Sequence, residues 1–353
     1  MRALLLATLV ACGGGNAASE KPAAPKQTDV DEKEAEKDAK GLVEEIYETL
    51  GRGKKDNLFS LLDDSLIVLG PRKADALVTR TDALVALGDT FDPKAKDKVT
   101  LQSSSLEVVA SPGGRSAWAF DVIEIDGQSF AMTAILINTD DIWQVDVAAL
   151  GRQASSKTIK AELEKQAIVP PGATAKVKVD ASARGAVERF QKGLLDQEAW
   201  GTDLAGRSDA IVAGPAAGEV ARGKKAIKKL WKKRIENRVR AATSGEITAD
   251  TTPDGQLAWV SAPITRVGEG EEPTPLRAFA VFEKGDGGWK MIALQESLAI
   301  DEPGAGASFA KIVPPKPEEP KVEDPPPEEP KQKPKKKPKK KKKKNKSVQR
   351  EDE

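Results

Sequence analysis

The sequence predicts an α+β protein built from two tandem domains, and three observations carry that expectation. The stretch Ile211 to Trp231, IVAGPAAGEVARGKKAIKKLW, is echoed earlier as Ile67 to Leu87, IVLGPRKADALVTRTDALVAL. The echo continues downstream: SPGGRSAW, ending at Trp118, is answered by TPDGQLAW, ending at Trp259, and Ile142-Trp143 is answered by Gly288-Trp289. Offsets of about 140 to 146 residues make each repeat a whole domain and not a solenoid unit. In each copy amphipathic helices come first and strands follow, which is α+β order. Finally, 353 residues with long polar ends leave room for two cores of roughly 115 residues each.

Taken in order, MRALLLATLVAC places Arg2 before an apolar run that ends in Leu9-Val10-Ala11-Cys12. This resembles the bacterial lipobox, which implies a signal peptide at 1–12 and a lipid on the thiol of Cys12. Its apolar core is short, and a frayed apolar terminus with an incidental cysteine is the other reading. Cys12 is the only cysteine, which leaves no disulfide framework and no cysteine metal site. Residues 13–38, rich in Gly, Ala, Pro, Lys and Glu, are expected to form a disordered tether.

The first domain is expected over 39–151. Leu42, Val43, Ile46, Tyr47 and Leu50 recur on one helical face. Asp56 is expected to cap a second short helix carrying Leu58, Phe59, Leu61 and Leu62. Leu66 to Leu69 and Ala76 to Val78 read as a hairpin around Gly70-Pro71, and Thr81 as the N-cap of a third helix through Leu84 and Leu87. Strands follow at about Val99 to Ala110, Ala117 to Ile125, Phe130 to Asn138 and Ile142 to Ala148, divided by turns such as Pro112-Gly113-Gly114. Residues 152–182 read as a linker, with a short polar helix at Ser155 to Gln166 and a break at Pro170-Pro171-Gly172. The second domain, 183–300, repeats the order: Val187, Phe190 and Leu194 on a first helix, a hairpin at Gly214-Pro215, and Ile227, Leu230 and Trp231 on a third helix. Its strands are expected at Leu257 to Val267, Leu276 to Glu283 and Trp289 to Leu294.

Apolar pair, Gly-Pro, Glu-Val, Arg-Gly and a charged amphipathic helix, as in Ile211 to Trp231, resemble the SnoaL-like branch of the nuclear transport factor 2-like superfamily. The resemblance covers both repeats and is closer in the second, since Leu77 and Thr81 depart from it in the first. It implies two cone-shaped domains, each with about three helices packed in a curved, mostly antiparallel sheet around a pocket. Patterning adds a physical argument. Phe130 to Ile137, FAMTAILI, and most of Leu276 to Phe282, LRAFAVF, are apolar on both parities, so both faces of these strands must be covered. The economical expectation is that the two domains pack on each other as a pseudo-dimer; a homodimer of independent domains is the alternative.

The sequence holds no histidine, which removes the commonest general base and histidine-based nucleophile and metal sites. Neither metal nor cofactor is expected. Asp121 and Asp146, on predicted strands among apolar neighbours, are the candidate general bases, with hydrogen-bonded structural carboxylates as the other reading. Tyr47, the only tyrosine, falls on an apolar stripe and reads as packing. GEVARGKK, Gly218 to Lys225, has the spacing of a phosphate-binding loop but lacks the final Ser or Thr and is read as a hairpin-to-helix turn.

Trp118 matches Trp259 and Trp143 matches Trp289, which reads as core. Trp200 and Trp231 have no partner in the first copy and are candidates for lining a pocket of the second domain, or for filling its core. Arg80 and Arg222 match at the entrance of the third helix, placed either to meet an anionic ligand or to brace the turn. The net charge is +1, while Lys331 to Lys346 holds twelve lysines, so the remainder nets about −11. Residues 301–353 are expected to be a disordered Pro/Glu/Lys-rich tail. Its lysines suit an anionic envelope polymer or lipid; nucleic acid is disfavoured if the signal peptide is genuine, and a solvated tail is the third reading. The sum is a lipid-anchored envelope protein, on the periplasmic side or outer membrane, that binds a small hydrophobic ligand or assembles without catalysis. A SnoaL-like enzyme using an Asp base on a small hydrophobic substrate is the alternative.

Overall fold

The computed structural model describes residues 31–70, 78–84, 94, 100–125, 127–163, 177–179, 181–270 and 273–298. Cys12, residues 13–30 of the expected tether, Pro71, Leu87, Pro170-Pro171-Gly172 and Lys331 to Lys346 lie outside them.

Helix α1 (Glu32–Gly51) begins inside the stretch expected to be a tether, which corrects that boundary. Asp31 caps it, accepting from the backbone N–H of Lys33 at 2.9 Å and Glu34 at 3.3 Å, and Glu32 and Glu34 place negative charge in the first turn, where the helix dipole favours it. Ala35 and Ala39 are buried, so this early turn belongs to the core. α2 (Lys55–Leu58) runs into a 3₁₀ turn (Phe59–Leu61). Asp56 sits in its first turn and is not its cap; that position is Lys54. Leu62, expected on this helix, starts β1 (Leu62–Leu69), which pairs antiparallel with β2 (Val78–Thr79). α3 occupies 80–84. Thr79 caps it, not Thr81: the Thr79 hydroxyl lies 3.4 Å from the Asp82 N–H and donates to the Asp82 carboxylate at 2.9 Å.

β3 (Leu101–Ser103) and β4 (Glu107–Ala110) divide the single strand expected there. Both pair with β5 (Ser116–Ile125), which leads antiparallel to β6 (Gln128–Thr139) and β7 (Ile142–Arg152). After α4 (Ser156–Leu163), β8 (Val177–Val179) pairs parallel with the later strand β12 (Ile247–Thr251), so the linker ends before residue 177. Then come α5 (Arg184–Leu195), α6 (Gln197–Gly206), β9 (Ile211–Ala213), β10 (Val220–Arg222) and α7 (Gly223–Glu236). The chain closes with β11 (Arg240–Thr243), β12 (Ile247–Thr251), β13 (Leu257–Val267), β14 (Thr274–Gly285) and β15 (Gly288–Ser297).

Two curved mixed sheets result, and their strand orders correspond. The first runs β2-β1-β7-β6-β5-β3 and the second β10-β9-β15-β14-β13-β12, with β8 added at the far edge. In each, the short strand beside the last long strand pairs parallel with it, β1 with β7 and β9 with β15; the second sheet adds a further parallel pairing of β8 with β12, and the long strands form an antiparallel meander. A bulge falls at Ile135/Leu136 in the first and at Val281/Phe282 in the second. This is the α+β architecture expected from the sequence.

Alternation of side chains along these strands produces three apolar layers. Ala117, Ala119, Phe130, Met132 and Leu136 face α1. Ala278, Ala280, Phe282 and Leu294 face Phe190, Trp200 and Trp231 of α5 to α7. The opposite parities meet in one shared layer, where Trp118, Phe120, Ala131 and Ile135 pack against Trp259, Phe279, Val281 and Ile292. Both faces of FAMTAILI are therefore buried, one under α1 and the other against the second sheet. Trp118 and Trp259, which read as domain core, lie in this layer between the sheets.

Candidate functional site

In the first domain, α1 lays Val43, Ile46, Tyr47 and Leu50 across the helix-side face of the sheet without filling it. An apolar cavity of about 110 Å³ remains, walled by Leu66, Ile123, Met132, Ala134 and Leu150 from the strands. Its size approaches that of the engineered cavity of about 150 Å³ that stays dry and takes benzene.

Among the described residues Tyr47 is the one polar residue on this wall, and its hydroxyl is engaged. It donates to Asp121 Oδ2 at 3.1 Å, while the backbone N–H of Ser105 donates to Oδ1 at 2.9 Å. Asp121 is fully buried on β5 and lies behind the tyrosine, off the cavity wall. Burial, then the charge of Asp121 and the hydrogen bond to it, push the Tyr47 phenol above its ordinary range. Tyr47 therefore stays protonated and a donor, and both Asp121 oxygens already accept hydrogen bonds. This arrangement fixes α1 to the sheet.

Asp146 is not brought near Asp121's site. It is the extra residue of the β7 bulge, since Ile135 pairs with Val147 and Leu136 with Val145. Burial first, then the charges of Asp63 and of Asp250 on β12, push its carboxyl up to about 6, against a smaller lowering by Ser65. The Ser65 hydroxyl lies 3.4 Å away.

The matched arginines diverge. Arg80 is held within its own domain by the Leu62 carbonyl at 3.2 Å, an ion pair with Asp64, and the Phe59 ring 3.9 Å below the guanidinium. Arg222 crosses to the first domain, pairing with Glu107 and donating to the Ser105 hydroxyl at 2.7 Å. Neither guanidinium is presented to an open anion site.

Trp200 and Trp231 occupy the interior of the second domain, where a cavity stands in the first. Trp200 is fully buried against Phe190, ring centroids 5.2 Å apart, and its Nε1 has no hydrogen-bond partner. Such an indole is retained for its volume, which corrects the reading of Trp200 as a pocket wall. Trp231 donates to the Gln197 carbonyl at 2.5 Å and shows only an edge to a surface groove between α6 and α7. Beside it Glu296, fully buried, accepts from Arg234 at 2.5 and 3.2 Å and from Arg266 at 2.6 Å. Burial alone would raise this carboxyl, but Arg234 and Arg266 outweigh it and hold it below its usual range.

The Gly-x₄-Gly-Lys spacing has a backbone explanation. Gly218 and Gly223 have φ of +78° and +69°, and a Cβ on Gly223 would stand 2.9 Å from the Ser208 carbonyl oxygen, so both glycines serve the turn. Among the described residues no cluster of His, Cys, Asp and Glu is placed to hold a metal ion.

Sequence comparison adds a match over part of the chain. Residues 198–301 match the SnoaL-like domain family. The match spans α6 to the end of β15, including the Ile211 to Trp231 stretch. A comparison with curated proteins finds no match. Among solved structures, an NTF2-like protein of unknown function from Pseudomonas putida KT2440 is 14% identical, with 36% of this chain and 92% of that chain covered and a TM-score of 0.32. A protein with a cystatin-like fold from Caulobacter vibrioides is 10% identical, covering 37% and 99%, at a TM-score of 0.30. A de novo designed protein with a curved β-sheet is 16% identical, covering 33% and 98%, at 0.25.

Sequence reasoning missed the Tyr47–Asp121 pair and the Arg234–Glu296–Arg266 cluster. The first has no local signal, since the partners lie 74 residues apart. The second had one: Arg234 falls three residues after Trp231 and seven after Ile227, on the apolar stripe of α7, where a cation requires a buried partner.

Proposed function

We propose that this chain is a lipid-anchored envelope protein whose first domain binds a small apolar molecule without chemistry, while the second, SnoaL-like domain is its structural partner. The observation that carries the reading is the cavity under α1, whose walls among the described residues are apolar apart from Tyr47, with the Tyr47 hydroxyl turned onto Asp121. It suits a guest of monocyclic size or a short alkyl segment. The burial of the Trp200 and Trp231 indoles within the second domain supports the division of labour. The corresponding order of six strands in the two sheets, and the single apolar layer between them, support a duplicated ancestor whose copies cover each other as a pseudo-dimer. The lipobox-like Leu9-Val10-Ala11-Cys12 supports an anchor at the envelope, and Lys331 to Lys346 support contact with an anionic lipid or polymer there.

Engagement of both Asp121 oxygens favours binding over catalysis. Toluene titrated into the protein should shift the Met132 methyl resonance and raise the thermal midpoint. Ala134→Leu, which fills the cavity, should abolish both effects while leaving the fold intact. Absence of any shift in the unaltered protein sinks the cavity reading; a mature protein retaining residues 1–11 sinks the anchor.

A further inference from the structure

Helix α7 carries seven cations against one carboxylate, GKKAIKKLWKKRIE, on a body whose remaining charge is negative. Ile227, Trp231 and Arg234 are buried. Lys224, Lys225, Lys228, Lys229, Lys232 and Lys233 are all exposed. At 100° per residue these six occupy a continuous half of the helix circumference, and they extend about 13 Å along its axis. A solvated face normally mixes signs along its i,i+4 rows; here, among the described residues, only Lys232 has a carboxylate within ion-pair distance, Glu236 at 3.8 Å. Ile235 stands 44% exposed within the same arc, between the Lys228 and Lys224 directions. It edges the groove of about 600 Å³ between α6 and α7, whose floor includes Ala205 and Trp231 and whose rim includes Lys228, Lys232, Glu198 and Glu236.

We propose that this face of α7 seats the folded body on a bilayer containing anionic phospholipid. The chemistry fits a plane of headgroups better than a nucleic acid. The arc offers no aromatic ring for base stacking, because its one tryptophan is turned inward. It does offer lysines around an exposed apolar side chain, the pattern of a helix that lies in a membrane interface. The inference goes beyond the ligand reading and does not depend on it. It also does not need Cys12 to be acylated.

The test uses the full chain carrying Cys12→Ser, with the lysines of 331–346 changed to Gln so that the tail cannot mask the helix. Binding to vesicles of neutral lipid, and of neutral lipid with three-tenths anionic phospholipid, is measured by cosedimentation. With each lysine near an anionic surface worth about 1 kcal/mol and roughly three in contact at once, changing all six α7 lysines to Gln should weaken binding to anionic vesicles about a hundredfold. Ile235→Asp, which removes the apolar contact and adds a negative charge, should also weaken binding to anionic vesicles. Neutral vesicles should bind neither protein, and high salt should release both. Equal binding by the parent and the six-Gln chain, both folded by circular dichroism, overturns the proposal. Binding to neutral vesicles, or single-stranded DNA outcompeting the anionic vesicles, does so too.

Discussion

Asp146 is half-buried and Glu296 fully buried, and their surroundings move the two carboxyls in opposite directions. Glu296 has two guanidiniums and is held ionised; it adds stability above the ordinary carboxylate range that is lost as pH falls. Asp146 is raised first by burial and then by the charges of Asp63 and Asp250, so its folded-state value, about 6, lies above its ordinary 3.8. The native state therefore binds its proton more tightly than the unfolded chain does, and the stability this confers at acid pH is lost as pH rises from about 4 to 6. Asp146→Asn removes that loss. At pH 7 the variant should be more stable by about 2 kcal/mol, allowing for partial exposure, and at pH 4 the difference should vanish. Urea midpoints at the two pH values check this, and a difference independent of pH would refute the assignment.

At the scale of elements, the second domain turns on a close approach between α5 and α6. Only Asp196 separates them, capping α6 through the Glu198 N–H at 3.0 Å. A Cβ on Gly193 would stand 1.7 Å from the Trp200 ring. Gly193→Ala should therefore destabilise by about 1 to 3 kcal/mol through overpacking, although alanine gains about 1 kcal/mol of helix propensity over glycine. Gly41→Ala in α1, where a Cβ meets nothing within 4 Å, should show the propensity gain alone. Opposite signs in urea unfolding are the expected result. The same element shows what a sequence can disclose. The strand Leu257–Val267 was legible to the residue, because its apolar run is long and bounded by turn residues. The start of α1 was not, because Ala35 and Ala39 are its only apolar signals amid Glu and Lys, which read as tether. β11 and β12 were missed for a related reason: each is short, and they flank Gly245. The reach of Arg222 to Glu107, unlike the local bracing of Arg80, depends on how two domains meet and had no counterpart in either half alone.

At the scale of the whole molecule, the layer between the sheets decides how the chain unfolds. Trp118 and Phe120 face Trp259 and Phe279, and buried aromatic side chains of this size dominate core energetics. Polar contacts register the sheets: the Thr133 hydroxyl donates to Gln295 Oε1 at 2.7 Å, and Ser116 donates to Asp254 at 2.7 Å. Opening this layer would expose apolar strand faces on both halves at once, so neither half should persist when the other unfolds. Calorimetry should accordingly show one transition for the described body. Phe279→Ala, on the second sheet, should cost about 3 to 5 kcal/mol and lower amide protection in β6 of the first sheet as well as in β14. Two resolved transitions, or β6 protection unchanged by a cavity cut into the opposite sheet, would mean that the halves fold independently and that their shared layer is incidental to stability.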